Sequence, residues 1–148
     1  MKKNIASKII AYTDGGSRGN PGEAAIGVVI LGIGDDKKEY CELIDIATNN
    51  EAEYKAVIFA LKKIRQLVGR EKLKNAEVEI RLDSELVAKQ LNGEYKIEEK
   101  NLQPLFMEIW NLKFDFPKLI FKHIPREQNK EADYLVNKAL DEKESSLF

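Results

Sequence analysis

Four of the chain's 25 acidic residues stand where a carboxylate is well placed to do chemistry. Asp14 follows Ala11-Tyr12-Thr13 at the end of a β-rich run. Glu53 shares a helical face with Val57, Ala60, Leu61 and Ile64, at offsets of 4, 7, 8 and 11. It therefore projects from an apolar stripe in a first helical turn, towards a core. Asp83 closes the alternating run Glu77 to Leu82, and Asp133 lies one turn into a final helix, with Val136 and Leu140 at offsets of 3 and 7. Taken singly, each has an ordinary use. Asp14 suits a turn before two glycines, and Glu53 suits the positive end of a helix dipole. Asp83 suits an N-cap, and Asp133 a solvated helix face. Taken together, they come from separate segments at strand ends and helix starts, where α/β sheets gather their ligand sites. A pocket holding all four is unfavourable without cations, because like charges raise each other's pKa. Oxygen-only donors suit Mg²⁺ or Mn²⁺ better than zinc. Two such ions roughly 3.5–4 Å apart can activate a water and stabilise a leaving oxygen in phosphodiester cleavage.

The elements that must position these acids follow from period and punctuation. Residues 7–13 predict a strand stopped by Asp14-Gly15-Gly16, and Gly19-Asn20-Pro21-Gly22 a second turn. Residues 25–31 and 39–46 predict two more strands, joined by a hairpin over 32–37. The apolar period then becomes helical over 50–68, with Thr48, Asn49 and Asn50 as N-cap candidates and Gly69 as the stop. A half-exposed strand over 77–82 is followed by a short helix from the Ser84 cap to Leu91, ended by Asn92-Gly93. A helix over 102–112, a strand over 118–124 and a last helix over about 127–140 complete the order. Three meander strands followed by β-α alternation imply an α/β fold with a mixed sheet flanked by helices.

Composition narrows the class. A chain of 148 residues, 43% hydrophobic and 33% charged, is one soluble domain by size and balance. No apolar run reaches the roughly 20 residues of a membrane helix, and the start lacks a signal-peptide core. The single cysteine, Cys41, excludes an internal disulfide and multi-cysteine zinc patterns, so a cytoplasmic setting is expected. A single histidine, His123, argues against triad and three-histidine zinc chemistry. The net charge of −1 removes the simplest argument for nucleic-acid binding without excluding it. Residues 1–142 are expected to form the domain and 143–148 a flexible tail, the end fraying from about Asp141.

Four motifs carry a resemblance. Tyr12-Thr13-Asp14-Gly15-Gly16-Ser17-Arg18-Gly19-Asn20-Pro21-Gly22, Thr48-Asn49-Asn50-Glu51-Ala52-Glu53, Leu82-Asp83-Ser84 and Asn129-Lys130-Glu131-Ala132-Asp133 stand in order over nearly the whole chain. Together they resemble type 1 ribonuclease H. The resemblance implies the ribonuclease H-like fold, with a five-stranded mixed sheet whose first three strands are antiparallel. It implies metal-dependent hydrolysis of the RNA strand of RNA–DNA hybrids, leaving 5′-phosphate and 3′-hydroxyl ends. Asp14, Glu53, Asp83 and Asp133 match the family's metal-binding carboxylates for Mg²⁺ or Mn²⁺. Gly15, Gly16 and Asn50 match contacts to RNA and its 2′-hydroxyls, and Thr48 and Asn20 match contacts to a DNA-strand phosphate. Turn and cap chemistry is the competing reading of the last two.

The chain departs from the family pattern in two places. Many bacterial members carry a Trp- and Lys-rich insertion that grips the hybrid, whereas residues 92–105 here hold no Trp and little net charge. The chain in that respect looks closer to archaeal members, which leaves double-stranded RNA open as a second substrate. The family's loop histidine would be His123, ten residues before Asp133, but His123 sits in strand alternation with Leu119 and Phe121. Arg126, in the loop that follows, is the better placed group to reach the scissile phosphate. A separate N-terminal hybrid-binding domain is not expected, and a monomer is. A silent binding module of the same fold is the alternative in a different class. It is disfavoured because all four carboxylates are present.

Overall fold

The structure, a computed structural model, describes residues 5–146. Its sheet has five strands: β1 (Ile5–Gly19), β2 (Gly22–Ile33), β3 (Lys38–Ala47), β4 (Glu77–Leu82) and β5 (Lys118–His123), in the order β3-β2-β1-β4-β5. β1 and β2 are antiparallel, as are β2 and β3, while β4 runs parallel to both β1 and β5. The expected mixed sheet, with its antiparallel strands first, is the one observed. Five helices accompany it: α1 (Asn49–Val68), α2 (Arg70–Leu73), α3 (Glu85–Leu91), α4 (Gln103–Leu112) and α5 (Lys130–Ser146).

The first helix forms where its signals lie. Thr48 Oγ1 accepts from Glu51 N–H at 3.1 Å and Glu51 Oε1 accepts from Thr48 N–H at 2.9 Å, a reciprocal capping box. Gly69 ends the helix at φ 87°. Its apolar stripe, Val57, Leu61 and Ile64, is fully buried against Ile9, Ala11, Val28 and Ile30 of the central strands. α5 covers the opposite face, where Val136, Ala139 and Leu140 close on Ala25, with half-buried Cys41 beside them.

The largest differences from the predicted boundaries lie in β1 and the last helix. β1 does not stop at Asp14-Gly15-Gly16 but continues to Gly19, pairing Asp14 with Gly27, Gly15 with Ile26 and Gly16 with Ala25. Gly15 here, and Gly27 of the paired strand, answer a packing demand, not a turn. A Cβ on Gly15 would lie 2.1 Å from the Ala52 carbonyl oxygen of α1, and one on Gly27 would lie 2.3 Å from the Ala132 carbonyl oxygen of α5. Bare backbone thus lets both helices approach the centre of the sheet. The last helix starts at Lys130, after a 3₁₀ turn over Arg126–Gln128, and runs on to Ser146. α5 is thus helical over the stretch from Asp141 to Ser146 where fraying is expected. Arg18 of β1 holds Asp141 and Glu144 at 2.7 Å each, and Lys143 meets Glu23 at 2.9 Å. Leu147 and Phe148 of the expected tail lie outside the described residues. The short α2 has no counterpart in the sequence reading.

Because Gly27 seats α5 on the sheet, Gly27→Ala should cost more than about 2 kcal/mol of unfolding free energy in urea titrations. A loss below about 0.5 kcal/mol would mean that α5 can shift without penalty.

Candidate active site

Strand register brings the first two acids together. Thr13 of β1 pairs with Leu82 of β4, so Asp14 and Asp83 are the next residues on parallel neighbours. Glu53 reaches them from the first turns of α1, its Oε1 accepting from Gly15 N–H at 3.3 Å. Asp14, Glu53 and Asp83 each offer a carboxylate oxygen, and these oxygens lie within 4.8 Å of one another. Asp133, from α5, lies outside that group of three but near enough to Asp14 to repel its charge. All four acids, with Arg126, line one cleft of about 450 Å³.

Their electrostatics are those of charge without compensation. Asp14 and Glu53 are each only 7% exposed. Burial raises Asp14 from 3.8 to about 7, with Asp83 and Asp133 repelling its charge against a lowering contact with Glu53. Burial also raises Glu53, with Asp14 adding to it. Its Oε2 is buried with no hydrogen-bond partner among the described residues. Glu79, 5% exposed on β4, shows what a purely structural buried acid needs. Burial pushes it up too, but Arg81 and Lys8 outweigh this and hold it below the usual range. No lysine or arginine is paired with Asp14 or Glu53 among the described residues. An orphaned carboxylate oxygen amid oxygen-only donors fits a hard divalent cation.

The family model described as "Reverse transcriptase-like" matches residues 12–139. Ribonuclease HI of Halobacterium salinarum is 40% identical over 143 residues, covering 96% of this chain and 69% of that protein. The chain belongs to the type 1 ribonuclease H family. LC11-RNase H1, isolated from compost, superposes with a TM-score of 0.85 at 48% identity, over 93% of this chain and 99% of that one. The structure of that protein in complex with an RNA/DNA hybrid gives 0.84. A bifunctional protein of Mycobacterium tuberculosis is 34% identical over 90% of this chain, which spans 36% of its length.

Of the other residues that match family positions, Gly15 and Gly16 line the cleft with their backbone, whereas Thr48, Asn20 and Asn50 are not among the residues that line it. Thr48 is the N-cap of α1, and Asn20 accepts the Asn49 N–H at 2.9 Å, so both also do the cap and turn work that competes with a substrate role. Asn50 donates from Nδ2 to Glu99 Oε1 at 3.0 Å. Arg126 is exposed, lines the cleft and has no ion-pair partner among the described residues. His123 ends β5, exposed, beside Glu85 and outside the residues lining the cleft.

Three residues at the site escape a search for acids. Asn129, 1% exposed, donates from Nδ2 to the Thr13 carbonyl at 2.9 Å and to Asp83 Oδ2 at 3.3 Å. It joins the ends of β1 and β4 and orients Asp83. The signal was available, since Asn129 stands in the same motif four residues before Asp133. Asn49 Oδ1 accepts from Ser17 N–H at 2.9 Å, tying the end of β1 to the start of α1. Arg18 lines the cleft but spends its guanidinium on Asp141 and Glu144, more than 120 residues away in sequence, where no local pattern reports it.

The raised pKa of Asp14 gives metal-free stability a definite sign. Between 3.8 and about 7 the folded state holds a proton that the unfolded state has lost. That stabilisation is complete below the lower value and gone once pH passes the higher one. Metal-free protein should therefore melt at lower temperature at pH 8 than at pH 5, and Asp14→Asn should flatten the slope. Equal slopes in wild type and variant, by scanning calorimetry in chelator, would separate Asp14 from this balance.

Proposed function

We propose that the chain is a divalent-metal-dependent endonuclease that hydrolyses the RNA strand of RNA–DNA hybrids, leaving 5′-phosphate and 3′-hydroxyl ends. The observation that carries this reading is the pair Asp14 and Glu53: two buried, mutually repelling carboxylates without a protein cation, opening on a cleft that Asp83, Asp133 and Arg126 share. Family membership supports it, as does the hybrid complex solved for LC11-RNase H1.

Asp14, Glu53, Asp83 and Asp133 would hold the metal, two Mg²⁺ or Mn²⁺ ions by this reading. Ions bound there would supply an activated water and charge compensation at the departing 3′-oxygen. The protein's own residues bind and align. Backbone at Gly15 and Gly16 lets the RNA strand approach closely. The Asn50 amide meets a 2′-hydroxyl, the group that separates RNA from DNA, while Thr48 and Asn20 receive a DNA-strand phosphate. Arg126, the loop cation free of a carboxylate partner, reaches the scissile phosphate. His123, exposed at the end of β5, is left to a strand-end role. With a net charge of −1 and one unpaired cation among the described residues of the cleft wall, the chain grips a polyanion weakly and releases few counterions, so activity should fall only gently with added salt. No helix among the described residues is long and apolar enough to cross a membrane. We place the protein in the cytoplasm as a monomer.

Cleavage of labelled RNA–DNA hybrid, beside double-stranded RNA, single-stranded RNA and DNA, tests the reading. Wild type should cut the hybrid's RNA strand only with Mg²⁺ or Mn²⁺. Asp14→Asn should lose several orders of magnitude in turnover while keeping its circular dichroism. Folded protein that cuts nothing with either metal would instead be a binding module. In the same assay Arg126→Ala should slow cleavage, whereas His123→Ala, at an exposed strand end, should leave rate and melting temperature nearly unchanged; slowed cleavage in His123→Ala with none in Arg126→Ala would return the loop role to His123.

A further inference from the structure

The segment that replaces the family's basic insertion is moored to the first turns of α1. Tyr54 Oη donates to Gln90 Oε1 at 2.7 Å, and Gln90 Nε2 donates to the Lys96 carbonyl at 3.3 Å. Gln103 Nε2 holds the Ile97 carbonyl at 3.0 Å, and Asn101 stands beside the Glu51 carboxylate. This fixes the backbone of residues 96–103 against α1 and delivers Glu99 to Asn50. The contact is unusual for its place. Residues 93–101 carry Glu94, Glu98 and Glu99 against Lys96 and Lys100, and a carboxylate beside a groove for a polyanion opposes binding.

The contact also settles the orientation of an amide. A carboxylate only accepts, so the Asn50 atom facing Glu99 must be the NH₂ group. The amide carbonyl Oδ1 has no protein partner among the described residues and is the atom left for a ligand. We infer that Glu99 is a positioning residue for sugar recognition: by engaging the Asn50 NH₂, it leaves Oδ1 to accept from the 2′-hydroxyl of the strand being cut. A sugar without that donor leaves Oδ1 unpaired. Charge assistance makes the hold on the amide stronger than a neutral partner would. The inference rests on the ribonuclease reading and on Asn50 as its sugar contact.

The test uses hybrids in which one ribose at a time near the cleavage point carries 2′-fluorine, which lacks the donor. Wild type should lose about fivefold to tenfold in kcat/KM at one nucleotide, the worth of one hydrogen bond. Glu99→Gln also removes the charge but keeps an acceptor, and should retain that penalty. Glu99→Ala should shrink it below about twofold, and Asn50→Ala should do the same. In the double variant the Glu99 change should add nothing to the Asn50 change, whereas a merely structural role would slow every substrate alike and additively. Melting temperatures of all variants accompany the rates. An unchanged fluorine penalty in Glu99→Ala, additive losses, or no fluorine penalty in wild type would overturn the inference while hybrid cleavage still upheld the ribonuclease reading. A wild type that cuts no substrate would remove both.

Discussion

Asp14 and Glu53 are buried together without a protein cation, and much of the architecture serves to keep them there. Burial and mutual repulsion both push the pair towards protonation, so the fold must hold the acids close against an electrostatic cost. It does so with backbone. Gly15 lets α1 approach β1 until a single methyl group would collide with the Ala52 carbonyl, and in that approach the Gly15 N–H meets Glu53. The Thr48–Glu51 capping box fixes where α1 begins, and hence where Glu53 points. Gly27 performs the matching task for α5, which carries Asp133 to the same cleft as Asp14. The apolar stripe of α1 behind Glu53, buried from Val57 to Ile64, supplies the stability that allows so unfavourable a contact to persist.

Glu79 sharpens the point because it sits in the same sheet with the opposite outcome. It is as buried as Asp14, yet Arg81 and Lys8 neutralise it locally and it needs nothing from outside. The fold therefore can place cations beside buried acids where the role is structural. At Asp14 and Glu53 it places a glycine N–H and two further carboxylates instead. That difference, more than the count of acids, separates a site awaiting a ligand from a tolerated charge.

Local sequence made the four carboxylates legible because each stands at an abrupt change of pattern: Asp83 after a strict alternation, Glu53 on an apolar stripe, Asp133 in a first helical turn. The same local logic misplaced the end of β1. Asp14-Gly15-Gly16 has the chemistry of a turn, but Gly15 is demanded by the close approach of α1 to the sheet, a tertiary cause that no window of neighbours contains. The last helix was cut short for a similar reason. Its charged final turns look frayed until Arg18, from the first strand, reaches Asp141 and Glu144. Asn129 was closer to view, inside a recognised motif, but a buried amide bridging Thr13 and Asp83 shows its worth only when the strand ends lie side by side.

The charges around the cleft give the substrate side its logic. Two arginines line it with the four acids, and Arg18 is already neutralised by the end of α5. Arg126 is then the one unpaired cation among the described residues of the cleft wall. The segment in place of the basic insertion offers Glu99, an exposed carboxylate that accepts from the Asn50 amide. A groove so poor in free positive charge cannot hold a phosphate backbone by general attraction. On the reading proposed above, selection would fall to contacts of defined direction: backbone approached at bare glycines, the Asn50 amide carbonyl, and the unpaired guanidinium of Arg126 in its 3₁₀ turn. Oriented hydrogen-bonding groups read a sugar where diffuse charge reads only a polyanion, so on that reading a near-neutral chain would trade strength of grip for discrimination.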